Sequence, residues 1–337
     1  MALLTHAQPE AIAAAAQHLA RGGLLGLPTE TVYGLAADVG NDDAVRAIFA
    51  AKGRPADHPL IAHIAAPDDG DWAAALAPFA QRVPDWALRA AAQLWPGPLT
   101  LVVPRRAGVC ELAAGGLPTL AIRCPAHPAA QAILRAAQAL GVMGVAAPSA
   151  NRFGRVSPTT AQHVLDEFAD RLDDSALVIV DGGACDVGIE STIVDASRAQ
   201  PVLLRPGMLP PDVLAHALGQ SIAPPDSQAP KVSGSLESHY APRARVRLLS
   251  TQELTSSWAR LSAQQRQQTA LYAHLSPELT GVRVHHDMPR DATACAHELF
   301  AVLRALDQAH IQEIWVTRPP DEAIWAGVND RLKRAAA

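Results

Sequence analysis

The sequence predicts an α/β fold in two unequal parts joined by a proline-rich segment. Short apolar or β-branched runs alternate with alanine-rich helical stretches along most of the 337 residues. Between about residues 219 and 235 the composition shifts to prolines and small polar residues, which cannot build a core. We therefore expect a larger domain over residues 1–212, a linker or lid over 213–243, and a smaller open-sheet α/β domain over 244–337.

Individual elements follow from local signals. Asn41 or Asp42 can cap a helix with apolar residues at three- and four-residue spacing, and Gly53 can end it. A second helix over 161–168 has Ser157 as its expected cap and Pro158 at its first position. The remaining predicted elements are strands at 24–27, 99–103, 120–123, 142–146, 178–181, 192–194, 202–204, 246–249, 269–272, 282–285 and 314–316, and helices at 251–263 and 292–309.

Composition excludes several classes of protein. No apolar run approaches the ~20 residues that span a bilayer, and no signal peptide is recognisable, so we expect a cytoplasmic protein without a membrane segment. The four cysteines form no CxxC pair and the thirteen histidines show no HExxH spacing, which disfavours a protein-bound transition metal. A net charge of −5 gives no general attraction to polyanions, so small anionic ligands are favoured over an extended nucleic-acid surface.

Polar residues begin where the first predicted strand ends. The motif Pro28-Thr-Glu-Thr-Val-Tyr-Gly34 follows that strand, and Lys52-Gly-Arg54 follows the first helix. Ligands in α/β folds sit at strand ends, so we expect Lys52 and Arg54 to face one crevice with these hydroxyls. Neither a GxxxxGK[ST] loop nor a GxGxxG fingerprint is present. The pattern indicates a nucleotide site built from side chains.

Two further segments bring polar groups to a crevice. Ser149 and Asn151 lie in a loop after a predicted strand, where a hydroxyl, an amide and backbone N–H groups can meet a phosphate. Two-residue alternation places Thr119 and Arg123 on one face of their strand. A buried guanidinium needs a carboxylate or a phosphate, so Arg123 has either an internal acid or a ligand as its partner. Arg205 has the same two alternatives.

The joint order of these motifs resembles the YrdC-type threonylcarbamoyl-AMP synthase family over roughly the first 210 residues. The chain also resembles the long form of that family, which has an extra C-terminal domain. This second resemblance rests on the proline-rich linker, on His239-Tyr-Ala-Pro242 and on an α/β segment ending Asn329-Asp-Arg-Leu-Lys-Arg334. The motifs that carry the resemblance are Pro28-Thr-Glu-Thr-Val-Tyr-Gly-Leu35, Lys52-Gly-Arg54, Pro59-Leu-Ile-Ala-His63, Trp95-Pro-Gly-Pro-Leu-Thr100, Ala121-Ile-Arg-Cys-Pro125, Ala147-Pro-Ser-Ala-Asn151, Ser157-Pro-Thr159 and Glu190-Ser-Thr-Ile193.

The resemblance implies a fold and an activity. The fold would be a twisted mixed sheet with helices, followed by a smaller open parallel, Rossmann-like α/β domain. The activity would be synthesis of threonylcarbamoyl-AMP and pyrophosphate from L-threonine, bicarbonate and ATP, with Mg²⁺ carried by ATP and no covalent enzyme intermediate. The product would pass to a downstream tRNA threonylcarbamoyl transferase for N6-threonylcarbamoyladenosine formation. The resemblance also allows a weak contact between this protein and tRNA.

The resemblance also assigns residues to three sets. The threonine set, expected around L-threonine, is Thr31, His63, Arg123, Ala147 and Ser191. The ATP set is Arg54, His58, Thr119, Ser149, Ser157, Arg205 and Tyr240. The catalytic set is Lys52, Arg54, Ser149 and Asn151. His58 stands where the family often has asparagine, and residues 232–238 lack the basic residues that commonly precede His-Tyr-Ala-Pro.

Because Tyr240 follows the linker yet belongs to the ATP set, the linker is expected to fold over the crevice as a lid. Two alternatives to the synthase remain open from the sequence. One is an RNA-binding or regulatory module, which the overall charge disfavours. The other is a carbamoyl-transfer domain of the hydrogenase-maturation type, although the acylphosphatase and zinc-finger segments that usually accompany it are not in the sequence.

Overall fold

The computed structural model describes residues 2–5, 8–172, 175–234, 238–274 and 279–337. The elements of the first part are β1 (Ala2–Thr5), α1 (Pro9–Ala20), β2 (Leu24–Leu27), β3 (Gly34–Asp38), α2 (Asp42–Lys52), β4 (Ile61–His63), α3 (Trp72–Leu76), α4 (Asp85–Leu94), β5 (Leu99–Pro104), β6 (Thr119–Arg123), α5 (Pro128–Gln138), β7 (Val145–Ala146), α6 (Ala161–Phe168), β8 (Leu177–Asp181), β9 (Thr192–Asp195), β10 (Val202–Arg205) and α7 (Pro211–Leu218). Those of the second part are β11 (Arg245–Leu249), α8 (Thr251–Ala259), α9 (Ala263–Gln267), β12 (Thr269–Tyr272), β13 (His285–His286), α10 (Ala292–Leu306), β14 (Glu313–Thr317), a 3₁₀ turn (Ala323–Trp325) and α11 (Ala326–Ala335).

Helix α2 forms as its sequence signals predict. The Asn41 side chain accepts hydrogen bonds from the backbone N–H groups of Asp43 and Ala44, which the first turn of a helix leaves unpaired. Gly53 ends the helix with φ of 61°, a left-handed conformation that costs glycine little. The helix buries Val45 and Ile48 against the large sheet. Both predicted boundaries are therefore confirmed.

The larger sheet has ten strands in the order β1-β8-β2-β3-β7-β4-β6-β5-β9-β10 and mixes parallel with antiparallel pairs. This confirms the predicted mixed sheet. In β6 the side chains alternate, and Leu120 and Ile122 pack into the main apolar core on one face. Ala121 faces the opposite side, in a small apolar cluster with Ile61 and Val102. That opposite face carries the site.

The smaller sheet is parallel throughout, in the order β11-β14-β12-β13. This confirms the expected open parallel α/β unit, and its helices cover both faces. On one face Trp258 of α8 meets Trp315 of β14 edge to face, with ring centroids 5.9 Å apart. On the other face Phe300 of α10 packs in a separate apolar cluster that also contains residues of α11.

Several sequence predictions of single elements are wrong. Only Val145 and Ala146 of the predicted strand 142–146 pair, because Val142 donates its N–H to the end of α5. The predicted strand 282–285 is the two-residue edge strand β13, bonded to β12 alone. The predicted helix 251–263 breaks where Ser262 starts α9 with its own capping box. The domain bounds 1–212, 213–243 and 244–337 stay predictions.

Candidate active site

A small cavity lies against the face of β4 and β6 that carries Ala121. It has a volume of about 30 Å³, which is room for a water molecule or two. All five residues of the threonine set line it, together with three of the ATP set. The wall includes Thr31, His63, Arg123, Ala147, Ser149, Ser191, Arg205 and Tyr240, and also Glu190 and Ser233.

Arg123 is a buried cation of the cavity wall, with 4% of its surface exposed. Its Nη1 donates to Thr31 Oγ1 at 2.7 Å and its Nε donates to the Gly97 carbonyl at 3.3 Å. Its Nη2 lies 2.7 Å from Glu30 Oε1. Of the two partners that the sequence allowed, an internal acid is therefore present. The sequence reasoning did not single out Glu30, although it lies inside the first motif.

His63 is buried and neutral at physiological pH. Burial, assisted by the charge of Arg123, lowers its pKa to about 3. Its Nδ1 lies 3.1 Å from the Ile61 carbonyl, which can only accept, so Nδ1 carries the proton. The lone pair is left on Nε2. A neutral imidazole in the wall can accept a hydrogen bond from a ligand hydroxyl or amine.

Arg205 connects the start of β9 with the linker. Its Nη2 donates to the Ser191 carbonyl at 2.9 Å, and its Nη1 donates to the Ser233 carbonyl at 3.0 Å. Burial lowers the pKa of this guanidinium. The Ser191 hydroxyl lies 2.7 Å from that of Thr100 on the neighbouring strand, which fixes its position in the wall.

Lys52 does not face the crevice, which corrects the expectation from the sequence. Its Nζ donates to the carbonyl oxygens of Ser149, at 2.5 Å, and Asn151, and only 3% of the residue is exposed. Burial and the charge of Arg54 lower its pKa well below the usual value. The amide Nδ2 of Asn151 donates to the carbonyl oxygens of Arg152 and Arg155. Both residues shape the loop that presents Ser149.

The other residues of the ATP set lie outside the cavity wall. Arg54 donates to the Pro59 carbonyl at 2.9 Å and lies over the Phe153 ring, and burial lowers its pKa to about 10. His58 meets the same ring edge to face at 5.3 Å. Thr119 shares a face with Arg123, four residues away along β6, which corresponds to about 13 Å in a strand.

Ser157 is buried, and its hydroxyl takes part in an ion-pair network. It does not cap α6, so that prediction from the sequence is wrong. Its hydroxyl donates to Glu190 Oε1 at 2.5 Å, and the observed cap of α6 is Thr160. Arg331 of α11 donates from Nε to Glu190 Oε2 at 2.8 Å. Burial raises the pKa of Glu190, but the charges of Arg331 and Arg205 outweigh it and leave the pKa below its usual value. The second domain thus reaches the cavity wall, which the sequence reasoning missed.

The linker covers the site. Val232 packs with Ile61, Ala121 and other residues of the sheet face, between Thr119 and Arg123. Beyond the segment 235–237, which lies outside the described residues, Tyr240 enters the wall with φ of 63°. Its ring packs between His239 and Phe300, at centroid distances of 4.2 and 5.3 Å.

Comparison with known proteins shows which family the chain belongs to. Residues 17–207 match the family model Sua5/YciO/YrdC, described as "Telomere recombination". The chain belongs to the Sua5/YciO/YrdC family. Residues 203–337 match the model of the threonylcarbamoyl-AMP synthase C-terminal domain. The recognition made from the motifs is therefore confirmed, and the match to a second model confirms the long form of the family.

Individual relatives in the Sua5/YciO/YrdC family agree over nearly the whole chain. The chain is 35% identical to threonylcarbamoyl-AMP synthase from Pyrococcus abyssi, covering 96% of this chain and 93% of that one. It is 33% identical to the enzyme of that name from Bacillus subtilis, covering 96% and 92%. The crystal structure of P. abyssi Sua5 complexed with L-threonine superposes with a TM-score of 0.85 at 32% identity, covering 99% of this chain and 97% of that one.

The described ranges are 2–5, 8–172, 175–234, 238–274 and 279–337. Within them, no helix is both long and apolar enough to cross a bilayer. Within the same ranges, no group of three or more His, Cys, Asp or Glu side chains is arranged to hold a metal ion. The four cysteines are buried and free.

Proposed function

We propose that this protein is a threonylcarbamoyl-AMP synthase, which converts L-threonine, bicarbonate and ATP to threonylcarbamoyl-AMP and pyrophosphate. One observation carries the proposal. The five residues of the threonine set, which are far apart in the sequence, line a single cavity, in a chain that is similar over its full length to a protein solved with L-threonine. The two curated relatives that cover 96% of the chain have this activity in their names.

Three groups of the wall suit an amino acid that carries a carboxylate, an amine and a hydroxyl. Arg123 offers N–H donors to the carboxylate, since a guanidinium has five and only part of them serve internal partners. His63 Nε2 accepts a hydrogen bond, and the Ser191 hydroxyl can donate or accept. We assign the threonine set to the substrate on this chemistry.

The chemistry proceeds in two steps. The threonine nitrogen attacks the carbon of bicarbonate, and loss of water gives N-carboxythreonine. A carboxylate oxygen of this carbamate then attacks the α-phosphorus of ATP, and pyrophosphate leaves with the electron pair of the broken P–O bond. Arg205 and Arg54 supply positive charge for the phosphates, so that positioning and charge neutralisation account for the catalysis.

ATP enters only after the linker moves. A cavity of about 30 Å³ is far smaller than the roughly 300–1,000 Å³ of usual ligand sites. Val232 lies on the sheet face between Thr119 and Arg123, where the nucleotide would otherwise have room. We infer that residues 219–234 and 238–240 act as a lid over the ATP set.

The remaining partners are part of the same proposal. ATP arrives as its Mg²⁺ complex, so the metal is a portion of the substrate. The adenylate passes to a tRNA threonylcarbamoyl transferase, and we place the protein in the cytoplasm. The net charge of −5 supports small anionic substrates rather than tRNA as the main ligand of the chain.

The test is release of pyrophosphate by the full chain with L-threonine, bicarbonate and MgATP, omitting each in turn. We expect release only when all three are present, and formation of a threonine-containing adenylate detected by mass spectrometry. Pyrophosphate release that does not depend on threonine would contradict the proposal. Salt-dependent tRNA binding without ATP consumption would favour an RNA-binding function.

A further inference from the structure

Glu30 lies behind the cavity wall, directly against the guanidinium of Arg123. The two side chains are buried, with 8% and 4% exposed, and Glu30 Oε1 lies 2.7 Å from Arg123 Nη2. Glu30 itself is not part of the wall, whereas its neighbours Thr29 and Thr31 are. It therefore touches the residue assigned to the substrate carboxylate without touching the cavity.

Arg123 is held at three points by two segments of the chain, residues 30–31 and the loop that contains Gly97. Thr31 Oγ1 accepts from Nη1, the Gly97 carbonyl accepts from Nε, and the carboxylate of Glu30 lies beside Nη2. Neither oxygen of Glu30 accepts an aligned hydrogen bond from the described residues, so the contact with Nη2 is held by charge. Removing that charge leaves Arg123 a buried cation with neutral partners only.

The position of Glu30 beside Nη2 of Arg123 determines how the guanidinium is oriented toward a substrate carboxylate. A bidentate contact with a carboxylate requires the planar guanidinium to have one orientation. Arg123 has several rotatable bonds, and Thr31 and Gly97 constrain only Nη1 and Nε. Charge attraction to Glu30 at Nη2 fixes the remaining end of the group, so the outward N–H donors are aligned before substrate arrives.

We propose that Glu30 is a positioning residue for L-threonine: it orients Arg123 from behind the wall so that the guanidinium meets the substrate carboxylate already aligned. This inference rests on the proposed function. It predicts that loss of the Glu30 charge weakens threonine binding and leaves the nucleotide site unchanged, because Arg54 and Arg205 donate their hydrogen bonds to Pro59, Ser191 and Ser233.

The first experiment measures pyrophosphate release by full-length Glu30→Gln, varying threonine at saturating bicarbonate and MgATP, and then varying MgATP. The expected result is a KM for threonine raised at least about tenfold, with kcat and the KM for ATP changed less than about threefold. Glu30→Asp keeps the charge on a shorter side chain, so its KM for threonine should lie between those of wild type and Glu30→Gln.

A matched control tests whether loss of any buried carboxylate has the same effect. Asp195 in β9 is fully buried and pairs with Arg198 at 3.0 Å, away from the cavity wall. Asp195→Asn should lower thermal stability and leave the KM for threonine within about twofold of wild type. If Asp195→Asn and Glu30→Gln raise that KM equally, the effect is general destabilisation and the positioning role is refuted.

A double-mutant cycle decides whether Glu30 acts through Arg123. Threonine binding is measured by calorimetry for Glu30→Gln, Arg123→Gln and the double variant, which needs no turnover. In the Arg123→Gln background, Glu30→Gln should change affinity by less than about twofold, because the group it orients is gone. Additive losses, or tighter threonine binding by Glu30→Gln, would overturn the inference.

Failure of this inference can be told apart from failure of the proposed function. If wild type releases no pyrophosphate with threonine, bicarbonate and MgATP, the function is wrong. If wild type is active and binds threonine while folded Glu30→Gln keeps the wild-type KM for threonine, only the role of Glu30 is wrong. Circular dichroism and thermal unfolding establish whether each variant is folded. If Glu30→Gln is not folded, the KM of Glu30→Asp for threonine is compared with that of wild type instead.

Discussion

Lys52 illustrates how a charged residue in a motif can act through the backbone. Its amine donates to the carbonyl oxygens of Ser149 and Asn151, on both sides of Ala150, so it fixes the loop from behind. The protonated amine has three donors and the neutral amine has two, so both forms can make these two bonds. Its contribution to catalysis is therefore expected to come from the geometry of Ser149.

Replacing Lys52 by methionine should lower both stability and activity. The two carbonyl oxygens would lose a buried donor, which costs about 1–3 kcal/mol per unsatisfied group. We expect a lower free energy of unfolding in urea and a kcat/KM for ATP reduced at least about tenfold. Arg46→Gln is the control, because Arg46 is on the same helix with 60% of its side chain exposed; it should change stability by less than about 0.5 kcal/mol. Lost turnover with unchanged stability in Lys52→Met would instead indicate direct contact with phosphate.

At the residue scale the structure brings the threonine set together in one cavity wall, whereas the direction predicted for Lys52 is wrong; the substrate role of the set stays a prediction. Thr31 lies in the connection between β2 and β3, and Ser191 directly precedes β9; the resemblance of their motifs to the family, rather than local backbone geometry, pointed to them. The direction of Lys52 depends on a loop 97 residues away in the chain, and no local pattern contains that information. The role of Glu30 was missed for the same reason, since its partner Arg123 belongs to a different strand.

At the scale of elements, α11 contributes a charged side chain directly behind the site. It places Arg331, which is fully buried, against Glu190, and the same guanidinium donates to the Pro206 carbonyl next to Arg205. The Tyr240, Glu190 and Asp330 groups raise the pKa of Arg331 despite its burial. A helix of the second domain thus completes the ion pair behind Ser157.

Arg331→Met should destabilise the protein strongly. Glu190 would remain as a buried carboxylate without its partner, and breaking a buried pair costs about 3–5 kcal/mol. We expect this loss in the free energy of unfolding by urea at pH 7.5, and a smaller loss for Glu190→Gln combined with Arg331→Met. Lys333→Met on the same helix, at an exposed position, should cost less than about 0.5 kcal/mol. Equal losses for the two single variants would argue against the ion pair.

Element boundaries could be predicted where local chemistry decides them. Asn41 and Gly53 set both ends of α2, and the strand 269–272 was predicted to the residue. Prediction failed where a tertiary contact took over. Ser157 has the type of residue that caps a helix, but Glu190 binds its hydroxyl and Thr160 caps α6.

At the scale of the whole molecule, the free energy of unfolding depends on pH because neutral histidines are buried at the site and in the linker. Burial is the main cause that lowers the pKa of both His63 and His239 to about 3. A histidine near its usual pKa of about 6.5 in the unfolded state binds more protons there than in the folded state. The contribution of these two residues to the free energy of unfolding is therefore fully present above about pH 6.5 and is lost progressively as the pH falls towards 3.

Between pH 7.5 and pH 5 each of these histidines should remove about 2 kcal/mol from the free energy of unfolding. The measurement is urea unfolding at both pH values for wild type and His63→Asn. The variant should show a pH dependence smaller by about that amount, whereas His310→Asn, at an exposed position, should match wild type. An identical pH dependence in His63→Asn would mean that His63 is protonated in the folded protein.

The position of Val232 over the sheet bears on how long the reaction product survives. Threonylcarbamoyl-AMP is a mixed anhydride, and such compounds are destroyed by water. With Val232 seated on Ala121 there is no room for a nucleotide, so the segment lifts before ATP binds and returns only as the adenylate leaves. Its return expels the anhydride, so the time that the product spends on the enzyme is set by how long this one short segment stays lifted.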